Sequence, residues 1–191
     1  NRPRSAATAL DYVDHQRRPW YSLIAMLDIY TLGDEILRER CKPVKVFDSA
    51  LTSLIDAMFV TMAEANGVGL AAPQIGADIR LFVVDVPEWG KGVFINPQII
   101  ETSLELSCAE EGCLSVPGLF HDVERPASVV VQAQDVNGKV FTVKADGLLA
   151  RAIQHENDHL NGVLFIDRLE QGEQEKMQKA WEKRSRRRRS G

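Results

Sequence analysis

The spacing of apolar positions changes several times along the chain. Residues 1 to 25 (NRPRSAATALDYVDHQRRPWYSLIA) hold no sustained period and scatter charges around two prolines. That composition predicts a poorly ordered N-terminal extension, with a compact domain from Met26 onward. In SALTSLIDAMFVTMAEANG, residues Leu51, Leu54, Ile55, Met58, Phe59 and Met62 recur at helical spacing. Asp48 or Ser49 can cap that helix, and Asn66-Gly67 ends it. RLFVVDV (80–86) and VFINP (93–97) read as strands. SVVVQAQD and KVFTVKA flank Val136-Asn137-Gly138, which predicts a hairpin turning at Asn137-Gly138. The helical period returns from about Gly147 to Leu160, with Leu148, Leu149, Ala152, Ile153 and Leu160 on its apolar side. After GVLFID, a last and highly charged helix is expected over roughly Leu169 to Lys183, followed by a basic disordered tail over 184–191. Strands joined by hairpins, with a few separate helices, predict an α+β fold.

Composition narrows the class. A length of 191 residues suits one domain, here 26–183, and an apolar fraction of 45% with 26% charge is ordinary for a globular chain. No run approaches the roughly 20 apolar residues of a membrane span. WYSLIAML is short, runs straight into Asp28 and lacks a secretory cleavage site; Asp11 and Asp14 argue against an acid-poor transit peptide. Three cysteines cannot pair completely and form no disulfide framework, so a reducing, cytoplasmic location is expected. Cys41 and Cys108 read as small buried hydrophobes. The net charge of −4 is unevenly spread: from Lys176 onward eight Lys or Arg face only Glu182, leaving about +7 there and about −11 elsewhere. KRSRRRRS is basic enough to touch RNA phosphates, although such a run also serves as a plain solvated chain end. No DNA or membrane partner is expected.

The chemistry concentrates in three segments. QHENDHL sets His155 and His159 one helical turn apart, so both can share a face. Two such histidines can be ordinary surface or core residues. Inside an amphipathic helix, however, the His-Glu-x-x-His pattern lets both imidazoles converge on one metal ion, with Glu156 beside them. A third ligand is then needed. No histidine follows His159, and Glu170 and Glu173 lie beyond the LFID break. Upstream, EEGCLSVPG presents Cys113 between Gly112 and Pro117-Gly118, a turn-prone setting. A thiolate there completes a Cys-His-His set with one open position, the pattern of a catalytic site. In GVGLAAPQIG (67–76), Gly67 and Gly69 allow close backbone approach, and Gln74 brings an amide with donor and acceptor. This segment fits neither nucleotide-binding fingerprint, and by itself it would pass for a helix-terminating loop.

In their order and spacing, GVGLAAPQ, EGCLS and QHENDHL resemble the bacterial peptide deformylases, as does IYTLGDEILRERCKPV ahead of them; the likeness covers about residues 26 to 182. The resemblance implies hydrolysis of the formyl group from the N-formyl-methionine of newly made polypeptides. It also implies mixed, mainly antiparallel sheets around a central His-Glu-x-x-His helix, with a C-terminal helix. Cys113, His155 and His159 become ligands of one divalent metal. The family implies iron(II) as the natural metal and zinc(II) as a common occupant, and the donor set also suits nickel(II). Glu156 becomes the proton carrier, while the Gln74 amide and the Leu114 backbone N–H become donors to the developing oxyanion. Gly112 C=O is expected to accept the formamide N–H, and the Val68 and Gly69 backbone to pair with an extended peptide. Val68, Leu148, Ala152 and the His155 ring look like walls of a methionine pocket. Arg151 departs from an all-apolar wall, and its stem is expected at the rim with the guanidinium in solvent. Asp158 and Arg125 are candidates for a supporting pair. In the family the C-terminal helix contacts the ribosome, giving the basic tail a partner. Two other functions compete: a zinc peptidase using the same helix, which needs a downstream ligand, and a catalytically silent ribosome-associated relative. The intact Glu156 and Gln74 argue against the second.

Overall fold

The protein is described by a computed structural model over residues 26–189, so the extension expected over 1–25 lies outside the described residues. Helix α1 (Ser49–Glu64) starts where Asp48 Oδ1 accepts the Leu51 N–H at 3.0 Å, an N-cap that satisfies one otherwise orphaned donor. It ends in a Schellman arrangement: Asn66 takes the left-handed conformation at φ 55°, and the N–H groups of Asn66 and Gly67 return to Ala63 and Met62 C=O. The asparagine absorbs the positive φ, which leaves Gly67 for another purpose. A Cβ at Gly67 would stand only 2.9 Å from the Leu114 side chain.

Strands β1 (Gly69–Ala71), β2 (Leu81–Val86) and β3 (Gly90–Thr102) join one antiparallel sheet with β6 (Ser128–Gln134) and β7 (Val140–Asp146), in the order β1-β2-β3-β6-β7. Strands β4 (Leu106–Gly112) and β5 (Phe120–Pro126) pair separately as a two-stranded ribbon. LFVV in β2 is apolar without alternation because both faces are covered. Leu81 and Val83 pack with Leu51, Ile55, Met58 and Met62 of α1. Phe82 and Val84 pack with Leu149, Ile153 and Leu160, from helix α2 (Gly147–His159) and the residue that follows it. The α+β architecture expected from the sequence is therefore present, with the His-Glu-x-x-His helix against the sheet.

Several elements differ from the sequence pattern. GVGLAAPQIG is not merely a loop: it supplies edge strand β1 and a 3₁₀ turn over Ala72–Ile75. Strand β3 extends well beyond 93–97. The β4–β5 ribbon carries no apolar alternation to announce it, because two of its buried positions are Glu111 and Arg125. The hairpin between β6 and β7 turns over Val136, Asn137 and Gly138, with Gly138 at φ 78°, and Asp135 Oδ1 accepts from the Asn137 and Lys139 N–H groups. A three-residue turn closed by a left-handed glycine replaces a two-residue Asn-Gly turn.

Helix α3 (Gln171–Arg189) is longer than expected: Arg184 to Arg189 continue it rather than forming a disordered tail. Arginine is a good helix former, and cations in the last turns oppose the helix dipole. Met177 and Trp181 anchor the helix in a cluster with Leu37, Val116, Val123 and Phe165. The Trp181 indole N–H donates to Leu32 C=O at 2.8 Å, and the Leu32 N–H donates to Ser115 C=O at 2.8 Å, which ties α3 to the segment just after Cys113. Among the described residues no helix is long and apolar enough to cross a membrane.

Candidate metal centre and active site

Helix α2 presents His155 and His159 from successive turns, and the end of β4 delivers Cys113 to them. One donor atom from each of the three lies within 4.8 Å of the others, and Cys113 Sγ stands 3.2 Å from His159 Nε2. A tetrahedral ion with bonds of about 2.3 Å to sulfur and about 2.0–2.1 Å to nitrogen needs donors roughly 3.5 Å apart, so this set fits one ion. Burial pushes the His159 imidazole well below its ordinary pKa, keeping it neutral as a metal ligand must be. His155 uses Nδ1 on Glu111 Oε2 at 2.9 Å, which fixes the ring and turns the other nitrogen towards Cys113.

Around this set lies a cleft of about 510 Å³. Glu156, next to the first histidine, is only 4% exposed, and its Oε2 has no hydrogen-bond partner among the described residues. Burial pushes its carboxyl up to about 7. The carboxylate lies so close to β1 that a Cβ at Gly69 would overlap it, so glycine is required there. Gln74, on the 3₁₀ turn after β1, is held at both ends. Its Oε1 accepts the Ala71 N–H at 2.8 Å, and its Nε2 donates to Ser115 Oγ at 3.1 Å and faces Cys113 Sγ at 3.6 Å.

Residues 26–175 match the family model described as polypeptide deformylase. Over 163 residues the chain is 51% identical to a peptide deformylase of Chromobacterium violaceum, an alignment covering 84% of this chain and 97% of that one. The crystal structure of a peptide deformylase from Legionella pneumophila superposes with a TM-score of 0.82 at 43% identity, covering 87% of this chain and 99% of that one. A deformylase from Synechococcus elongatus, solved in complex with actinonin, gives 0.75 at 49% identity, with 79% and 83% covered.

The chain belongs to the peptide deformylase family. Deformylases are metal-dependent hydrolases that remove the formyl group from polypeptide N-termini, and this chain is an enzyme of that kind. Val68, Gly69, Gln74, Gly112, Cys113 and Leu114 all line the deformylase cleft, and Leu148, Ala152, His155 and Glu156 close it from the α2 side. His159 lies beneath them, 1% exposed. Leu148, grouped with the apolar core side of its helix by the sequence pattern, is 48% exposed and faces the cleft instead. Strand β1 is a sheet edge. Since the Asp85 N–H donates to Val68 C=O, Gly69 and Val84 form a non-hydrogen-bonded pair, and the Gly69 N–H and C=O point off an edge that no other described strand covers.

Two deformylase residues escape a reading of the sequence. Ser115, fully buried, orients Gln74. Glu111 is the larger omission: it accepts Arg125 Nε at 2.6 Å and Nη2 at 3.0 Å, Arg151 Nη1 at 2.7 Å, and His155. Burial works against its charge, but hydrogen bonds from His155 and Arg125 hold the Glu111 carboxyl well below the usual carboxylate range. Arg125 also reaches Asp158 Oδ2 at 2.8 Å, so the expected supporting pair exists, and Arg168 completes it from the other side. Arg151 corrects an expectation. Its guanidinium is not in solvent but bound to Glu111 and two backbone carbonyls, leaving the side chain 11% exposed.

Proposed function

We propose that the enzyme hydrolyses the formamide of N-formyl-methionyl peptides through Cys113, His155, His159, Glu156, Gln74 and Leu114, releasing formate. The observation that carries this reading is the convergence of one cysteine sulfur, two imidazoles and a buried carboxylate, whose Oε2 has no hydrogen-bond partner among the described residues, at a cleft beside the edge strand β1. Cys113, His155 and His159 would hold one divalent metal, whose Lewis acidity would make water a competent nucleophile for the formyl carbon near neutral pH. The residues of the chain do the rest. Glu156, with its carboxyl near neutrality, takes a proton at one oxygen and delivers it to the departing amine nitrogen. As the formyl carbon becomes tetrahedral, charge grows on the formyl oxygen, where the Gln74 Nε2–H and the Leu114 N–H donate to it. Each donor of this kind is worth about 10²- to 10³-fold in rate. The Gly69 backbone binds the peptide strand-fashion, without the Val68 C=O expected beside it, which is taken by the Asp85 N–H, and Gly112 C=O takes the formamide N–H. Val68, Leu148, Ala152 and the His155 ring receive the methionine side chain. The donor set accommodates iron(II), zinc(II) or nickel(II) without choosing among them, and it is the family resemblance that favours iron(II) as the natural metal.

The test is formate release from formyl-Met-Ala-Ser against cleavage of an unblocked peptide. Formate with no internal cleavage is expected. Internal cleavage without formate would instead establish the peptidase chemistry that the same helix motif serves elsewhere.

The arginine run at the end of α3 supports a cytoplasmic partner rich in phosphate, the ribosome. Removing residues 186–191, which spares the Arg184 contact with Gly118 C=O, should weaken ribosome association. The effect should grow at low salt, because the binding releases counterions. Formyl-peptide turnover should be unchanged. Co-sedimentation at two salt concentrations checks this, and equal binding by both proteins at low salt removes the ribosome from the proposal.

A further inference from the structure

Arg151 lines the cleft but has no part in the chemistry derived above. It stands on α2 three residues after Leu148 and four before His155, on the same helix face as both. An aliphatic residue would serve an apolar pocket at this position. Instead the guanidinium donates from Nη1 to Glu111 Oε1 at 2.7 Å and to Val123 C=O at 2.9 Å, and from Nη2 to Ser107 C=O at 2.7 Å. Those acceptors lie on both strands of the β4–β5 ribbon. A planar fork of fixed N–H directions, bound at three points, sets distance and angle together, which a single ammonium cannot do. A two-stranded ribbon is marginal alone, so its links to the body decide where it stands. The ribbon and α2 form two walls of the cleft, with Gly112 and Phe120 on one and Leu148 and Ala152 on the other.

We infer that Arg151 is a specificity-determining strut: its span sets the gap between α2 and the β4–β5 ribbon, and its methylenes form the wall between them. The pocket so bounded admits an unbranched side chain of methionine's width and excludes wider ones. This deepens the methionine pocket proposed above and rests on it.

Arg151→Met keeps an unbranched chain and removes all three hydrogen bonds. Relative to wild type, its ratio of kcat/KM for formyl-Met-Ala-Ser over formyl-Phe-Ala-Ser should fall about tenfold or more, the range that pocket shape commands. The change should appear mainly in KM, with one metal per chain retained. Arg151→Lys, with one donor group left, should shift the ratio less and in the same direction. It carries the test if circular dichroism finds the methionine variant unfolded. Calorimetric affinities for the product peptides Met-Ala-Ser and Phe-Ala-Ser, which need no turnover, should change in the same ratio. An unchanged ratio in every folded variant overturns the strut. So does a fall in kcat alone, since Arg151 would then act only through Glu111. A wild-type enzyme that releases no formate, yet shows the product-peptide ratio and its shift, would refute the deformylation chemistry while leaving the strut standing.

Discussion

Replacing Glu156 with glutamine is expected to lower kcat/KM for formyl-Met-Ala-Ser by about 10²- to 10⁴-fold, the usual contribution of a positioned acid–base group. Metal content should stay at the wild-type level, because Glu156 lies outside the donor set of Cys113, His155 and His159. Formate assays paired with metal analysis separate the two effects. A variant that loses metal along with activity would make Glu156 a ligand or a folding element, and one with full activity would remove it from the chemistry. The pH profile adds a second check. The ionised carboxylate is the base, and burial holds the carboxyl near 7. Wild-type kcat/KM should therefore rise with pH and flatten above neutrality, and the glutamine variant, left with only the ionisation of the water, should rise along a displaced limb. Stability moves the opposite way. A carboxyl whose folded pKa lies above its unfolded value destabilises the fold increasingly as pH rises between the two, and by a constant amount beyond the folded one. In metal-stripped protein, Glu156→Gln should therefore melt higher than wild type at pH 8 and equally at pH 4.

Cys113→Ala should lose the metal itself. Losing an outer-shell partner typically weakens metal affinity by about 10- to 100-fold, so losing the thiolate ligand should exceed that and abolish formate release. The side chain is partly accessible at the lip of the cleft, and its removal opens no core cavity comparable to loss of a buried leucine. Circular dichroism should remain that of the wild type while metal stoichiometry collapses. A Cys113→Ala protein that keeps one metal per chain would send the third ligand elsewhere, to the downstream acids that a peptidase arrangement requires. Glu173 is poorly placed for that duty. It sits on α3, where it pairs with Lys176 at 2.6 Å and with His121 at 3.4 Å.

Helices α1 and α2 could be read in the sequence because each buries one stripe against the sheet, and a buried stripe must repeat with the helical period. The metal ligands could be read for a similar reason: His155 and His159 are local to one helix, and Cys113 sits between glycine and proline signals. The β4–β5 ribbon was hidden because its inward positions hold Glu111 and Arg125, which look like surface residues until the partners that neutralise them are known. Arg151 was hidden likewise: a long cation beside a cleft points to water by default, and only three acceptors on a distant ribbon turn it inward.

The chain's own order of residues determined what is local or periodic: the helix faces, the hairpin between β6 and β7, and the three segments that carry ligands, base and oxyanion donor. Tertiary structure decided what depends on charge meeting charge across the chain. Glu111 is 44 residues from His155 and 14 from Arg125, and no pattern along the sequence records that the three share hydrogen bonds. A buried carboxylate is tolerable only where several donors converge on it, and that convergence exists only once the ribbon has closed onto α2.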